Sequence, residues 1–235
     1  MSFPPIPNLP GETNEIPPVR QECGEPLIPL SALTPKLTVY AAYYHQGYEG
    51  AQPEIYLREG VARRLVTVAE KLPSEYRLVV LDGWRSHIVQ ASIYDRFRQT
   101  LLAQGWEEGE QLTAELGKFV AKPTTDIIKP SPHLSGGAVD LTIAGPEGWL
   151  DMGTPFDDFS DLAATRYFEE LTETSEHVQT VRENRRMLYH LMAEAGFVNY
   201  PREWWHYEYG TRVWARKTGQ EAIYGGILSL SPQPQ

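Results

Sequence analysis

The sequence predicts an α+β fold: one domain in which a small, largely antiparallel sheet is flanked by helices. Three observations carry this expectation. Helical three- and four-residue apolar spacings share the chain with short β-rich runs. The candidate strands are short and unevenly spaced. They do not follow the regular strand-then-helix rhythm that a doubly wound parallel sheet requires. The length of 235 residues suits a single core of generous size, divided into an N-terminal arm over 1–36, a domain over 37–228 and a frayed tail over 229–235.

Nine of the 19 prolines precede residue 37, which suppresses helix and ladder hydrogen bonds and predicts an extended arm packing on the domain. Tyr40, Tyr43, Tyr44 and Tyr48 follow as an aromatic cluster, read as surface-covering structure with a pocket lining as the alternative; His45 sits among them. Over 55–72, Val61, Leu65, Val68 and Leu72 mark an amphipathic helix. The run 76–82, YRLVVLD, bounded by Pro73 and Gly83, reads as a buried strand. Ser86 is placed to cap a second helix over 88–104, where Ile93, Phe97 and Leu101 repeat. Residues 105–132 are punctuated by glycine and proline and resolve into at most a short helix and irregular chain. GAVDLTI over 137–143 is a strand with Ala138, Asp140 and Thr142 on one face. A third helix over 178–195 stops at Gly196, and short strands are expected within 197–209 and over 212–215.

Composition narrows the function. Hydrophobic residues at 41% and charged residues at 22% are an ordinary globular balance. The formal net charge of −10 argues against binding nucleic acid or an anionic membrane, since both need basic patches. No apolar run is long enough to span a bilayer, and the opening residues lack a basic start and an apolar signal core, so a cytoplasmic address is expected. Cys23, the single cysteine, cannot form an intramolecular disulfide and reads as a buried structural thiol.

The chemistry concentrates in three segments. In SPHLSGGAVDLT, His133 and Asp140 lie seven residues apart with Gly136 and Gly137 between them, so a tight turn can aim both side chains at one point. In PREWWHYEYG, His206 stands beside Glu203 in an aromatic setting. Two imidazoles and one carboxylate form a catalytic zinc set that leaves a fourth position open. In VVLDGWRSH, Arg85 sits just past a strand end, where its permanent charge can polarise a carbonyl and hold an oxyanion. Each residue alone has a plainer explanation: His133 as a turn histidine, Arg85 as a surface group or a partner of Asp82, and Trp204 and Trp205 as packing. Asp140 inside an apolar strand resists that treatment, because a buried unpaired carboxylate is costly. His87, His177 and His190 have no second ligand at metal spacing; nearby acids such as Glu194, four residues after His190, read as solvated helix pairs.

Together SPHLSGGAVD, EWWH and DGWR resemble the D-alanyl-D-alanine dipeptidases, a zinc peptidase family, in the family's order, and LDMGTPFDDF over 150–159 is similar to the family's loop between its two metal segments. The resemblance, spanning roughly 78–209, implies that one zinc ion is held by His133, Asp140 and His206 in a cleft at the sheet. It implies Glu203 as general base, Arg85 as oxyanion stabiliser, Ser131 as a substrate contact and Asp157 as partner of the substrate ammonium. Trp84 and Ser86 depart from the family's usual tyrosine and proline and bear on pocket detail. The implied reaction is hydrolysis of a small D,D-dipeptide. Two alternatives stand beside it: a related D,D-carboxypeptidase or peptidoglycan endopeptidase, and a zinc-stabilised binding module without turnover. The presence of both Glu203 and Arg85 favours an enzyme over the last.

Overall fold

A computed structural model describes residues 2–9 and 16–230. In chain order its elements are β1 (Leu27–Pro29), β2 (Leu37–Val39), α1 (Ala42–His45), β3 (Tyr56–Arg58), α2 (Glu59–Lys71), β4 (Arg77–Asp82), α3 (His87–Ala103) and α4 (Glu110–Phe119). A 3-10 turn at His133–Ser135 leads into β5 (Ala138–Gly145) and β6 (Gly148–Trp149). After α5 (Tyr167–Glu170) and the long α6 (Glu176–Glu194) come β7 (Val198–Asn199), β8 (His206–Glu208) and α7 (Arg212–Thr218). The α+β expectation holds. The main sheet runs β2-β4-β5-β8-β7 with β6 paired to β5, and only the β2–β4 pair is parallel.

Alternation along the strands divides the sheet into two faces. Leu78, Val80, Val139, Leu141, Ile143 and Tyr207 join one core with Val61, Leu65 and Val68 of α2 and Leu188, Leu191 and Met192 of α6. Each such fully buried aliphatic side chain contributes about 1.5–3 kcal/mol, so this face is where the fold gains its stability. The odd residues of β4, Val79 and Leu81, turn the other way and meet Ala42 and Phe156. That second face carries Asp140 and His206.

The structure departs from the expectation at two elements. The helix expected over 55–72 starts at Glu59, because Tyr56–Arg58 pairs antiparallel with Leu27–Pro29 and buries Leu57 instead. The strand expected over 212–215 is helix α7: Thr211 caps it by accepting from the Trp214 N–H at 3.0 Å, and Gly219 ends it at φ 72°. These end signals outweigh the β preference of Val213 and Trp214. Ser86 does cap α3, accepting from the Val89 N–H at 3.3 Å. Cys23 is exposed rather than buried, since its neighbours Glu22 and Gly24 keep the chain at the surface. Glu194 pairs with Lys71 at 2.7 Å, while His190 stacks on Phe3 and hydrogen-bonds the Pro4 carbonyl at 2.9 Å.

The proline-rich segment touches the domain at several points. Ile6 is buried and its N–H donates to Glu169 at 2.9 Å, and the Arg212 guanidinium donates to the carbonyls of Ile16 and Pro17. What was expected of residues 1, 10–15 and 231–235 lies outside the described residues. None of the described helices is long and apolar enough to cross a membrane.

Candidate metal centre and active site

Three neighbouring strands build the site. Between Val80 and Asp82 the β4–β5 ladder shifts register, and this bulge sets Asp82 opposite Asp140. On the other side Asp140 pairs directly with His206 of β8. Asp82, Asp140 and His206 therefore stand abreast on one rung, held by backbone hydrogen bonds rather than by flexible loops. His133 reaches the same point from the 3-10 turn, which Gly136 closes at φ 71°. A β-carbon on Gly136 would lie 2.5 Å from Leu27, and one on Gly137 would lie 2.7 Å from the Tyr209 carbonyl. Only glycine lets the chain turn from His133 into β5 in so little space.

The donor atoms converge. His133 Nε2 lies 3.4 Å from Asp140 Oδ2 and 3.2 Å from His206 Nδ1, which lies 3.0 Å from Asp140 Oδ1. Tetrahedral zinc with ligand bonds near 2.0–2.1 Å would hold its donors about 3.3 Å apart. Hydrogen bonds on the far side of each ring assign the tautomers: His133 Nδ1–H donates to the Gly83 carbonyl at 2.8 Å, and His206 Nε2–H donates to Glu208 at 3.2 Å. The two inward nitrogens thus present lone pairs to each other and to a carboxylate, an arrangement that repels unless a cation or proton sits among them. All three residues are buried, and among the described residues they form the one cluster of His, Cys, Asp or Glu with metal-binding geometry. The donor set fits a catalytic zinc ion with one position left open.

The charges around this point are strongly perturbed. Burial alone would push Asp140 up, but His133 and His206 hold it well below the usual carboxylate range. His206, which burial alone would lower, is raised to about 10 by its hydrogen bonds to Asp140 and Glu208. Glu203 lies with Oε2 3.8 Å from His206 Nδ1, its side chain 24% exposed. Burial pushes its carboxyl up to about 8, with His206 opposing and Asp140 and Asp157 adding to the rise.

Arg85 is held on several sides. Its Nε and Nη2 donate to Asp82 at 2.8 and 2.7 Å, Nη1 donates to Gln90 at 3.0 Å, and Nη2 donates to the Tyr43 hydroxyl at 3.2 Å and approaches Asp140 at 3.5 Å. Although burial works against its charge, these acids keep the guanidinium protonated. Asp157 sits beside it with its carboxyl raised to about 7, chiefly by burial, while Arg85 opposes and Asp140 adds to the rise. The neighbouring Tyr43 hydroxyl also works against the rise. These groups and Ser131 line one cleft of about 230 Å³. Phe119 and Phe159, whose ring centroids are 5.4 Å apart, also line it.

All seven residues singled out from the sequence, Arg85, Ser131, His133, Asp140, Asp157, Glu203 and His206, meet in this cleft. Three others were missed. Tyr43 stood in a cluster read as surface covering, yet it is buried against Arg85. Gln90 carries no local signal, because a glutamine in a helix is ordinary until its partners are known. Glu208 was legible in principle: it follows His206 by two residues and so shares its face of β8.

The family profile described as D-ala-D-ala dipeptidase, peptidase M15, matches residues 49–222. The chain is 30% identical over 233 residues to a D-alanyl-D-alanine dipeptidase of Synechocystis sp., covering 88% of this chain and 94% of the relative. It is also 30% identical over 123 residues to the D-alanyl-D-alanine dipeptidase of Escherichia coli K12, covering 51% and 55%. Among solved structures it is similar to VanYB in complex with D-alanine-D-alanine, with TM-score 0.43, 20% identity and coverage of 74% and 84%. It is also similar to the vancomycin resistance D,D-dipeptidase VanXYg in complex with a D-Ala-D-Ala phosphinate analogue, with TM-score 0.38, 23% identity and coverage of 72% and 58%. The family profile spans most of the chain, and the chain belongs to the D-alanyl-D-alanine dipeptidase family of M15 peptidases, a family of metallopeptidases.

Proposed function

We propose that this enzyme hydrolyses the free D-alanyl-D-alanine dipeptide to two D-alanines, with His133, Asp140 and His206 holding one zinc ion. The observation that carries the reading is the convergence of three lone-pair donors at 3.0–3.4 Å beside a carboxyl, Glu203, whose proton affinity is raised to near neutrality. A zinc ion bound there supplies Lewis acidity, polarising the scissile carbonyl and acidifying water. Glu203 takes a proton from the attacking water and returns it to the leaving amine; a base poised near the working pH serves both steps. Arg85, already oriented by Asp82, Gln90 and Tyr43, stabilises the charge that develops on the carbonyl oxygen. Asp157 receives the substrate's ammonium group, and Ser131 contacts the bound dipeptide. The small cleft supports a dipeptide over a longer chain. A cytoplasmic setting belongs to the same reading.

The test is hydrolysis of D-alanyl-D-alanine by the zinc-loaded protein, beside a longer peptide with the same C-terminus and beside Glu203→Gln. Cleavage of the dipeptide alone, reduced about 10²–10⁴-fold in the variant with zinc content unchanged, is the expected result. Release of D-alanine from the longer peptide would make this a carboxypeptidase. Zinc binding without turnover of either would leave a binding module.

A further inference from the structure

The strand that supplies His206 also supplies a carboxylate behind it. Glu208 is 2% exposed, and both its oxygens are engaged: one accepts from His206 Nε2–H at 3.2 Å, the other from the Thr211 hydroxyl. Thr211 is itself fixed as the cap of α7, accepting from the Trp214 N–H at 3.0 Å. A continuous line of hydrogen bonds therefore runs from the first turn of α7 through Thr211 and Glu208 to the imidazole of His206. The two histidines of the cluster present different atoms inward, His133 its Nε2 and His206 its Nδ1. For His133 the outer N–H donates to the Gly83 carbonyl at 2.8 Å, with Asp82, already paired to Arg85, 3.3 Å away; for His206 its hydrogen-bond partner is itself a buried acid.

We infer that Glu208, braced by Thr211, is a positioning residue that holds His206 in the tautomer with an inward Nδ1 lone pair and strengthens that nitrogen as a metal donor. The inference rests on the reading of His133, Asp140 and His206 as a zinc centre and adds to it a residue that touches neither metal nor substrate. The physical reason is twofold. A carboxylate accepting from the outer N–H locks ring orientation and tautomer, and its negative charge pulls the imidazole towards imidazolate character, making the inner nitrogen a better base. The cost of burying this carboxylate is met only if both oxygens are satisfied, and Thr211 completes that set.

The experiment measures zinc affinity of the full chain by competition with a chromophoric chelator, for wild type, Glu208→Gln, Glu208→Asp, Thr211→Val and Thr211→Ser. Glu208→Gln is expected to weaken zinc binding about 10–100-fold while the metal-free fold keeps its circular dichroism spectrum. Glu208→Asp should recover part of the loss. Thr211→Val is expected to show a smaller loss that Thr211→Ser restores, which keeps the inference testable if Glu208→Gln fails to fold. Nitrogen-15 NMR of the zinc-loaded wild type should show His206 bound through Nδ1 with a proton on Nε2. Zinc affinity unchanged in Glu208→Gln and in Thr211→Val, with only the melting temperature lowered, would overturn the inference and leave the zinc centre standing. No zinc binding by the wild type would overturn both.

Discussion

Asp157 holds a left-handed backbone, φ 60°, the one non-glycine residue to do so among those described. A β-carbon makes that conformation unfavourable by roughly 1–2 kcal/mol, and the residue adds a carboxyl whose buried surroundings resist ionisation. Strain of this kind persists where it aims a group at a ligand. Asp157→Gly is therefore expected to raise stability by about 1 kcal/mol in urea denaturation while raising KM for the dipeptide; an unchanged KM would remove Asp157 from the substrate site. The titrating groups make a second prediction. In metal-free protein Glu203 and Asp157 are raised from 4.5 and 3.8 to about 8 and about 7, and His206 from 6.5 to about 10. Between each pair of values the native state holds a proton that the unfolded chain has released, so stability falls as pH rises through both windows. Asp140 and Glu208, both held low, are ionised in native and unfolded states alike above the ordinary carboxylate range and add no slope there. Zinc needs His206 neutral, so the rise in melting temperature that zinc produces should grow between about pH 6 and pH 9. Differential scanning fluorimetry with and without zinc checks this, and a zinc increment independent of pH would contradict proton displacement from His206. The residues of the cleft were legible where their chemistry is costly out of place, as with Asp140 in an apolar strand. Gln90 and Tyr43 acquire their meaning only from Arg85, 5 and 42 residues away, which no local pattern encodes.

At the level of elements, α6 does more than cover the sheet. Arg185 is 2% exposed and donates to the carbonyls of Met152, Ala164 and Leu162 at 2.7, 2.7 and 2.8 Å; Arg182 likewise holds the carbonyls of Phe168 and Leu171. The irregular chain that carries Asp157 is thus tied to a helix through its backbone. Arg185→Met leaves the Met152 and Leu162 carbonyls without a donor, each worth about 1–3 kcal/mol when unsatisfied, while Ala164 keeps the Tyr167 N–H. The expected outcome is a loss of several kcal/mol, faster amide exchange across 150–164 and a higher KM; exchange confined to α6 would show that the loop is held by other means. The sequence made the long periodic helices and the strands at 77–82 and 138–145 readable, because each has a single dominant period. It misled at α7, where a seven-residue helix is too short to display a period and is specified by its two ends. It also missed β3, a three-residue strand whose partner β1 lies in the proline-rich segment.

Across the whole molecule, fold class followed from the mixture of periods, but strand order did not, since β4, β5 and β8 are joined by long excursions. The site inherits that separation. Arg85 and Asp140 are 55 residues apart, Asp140 and His206 are 66, and closing loops of this size costs about 4 kcal/mol of chain entropy. The unfolded chain therefore has no preformed zinc site, and the rung shared by Asp82, Asp140 and His206 comes into being only when the central strands pair. Under the proposed zinc reading, metal would latch a finished sheet rather than seed it. In stopped-flow experiments zinc should slow unfolding while leaving the refolding rate nearly constant; a refolding limb accelerated by zinc would place this rung in the folding nucleus.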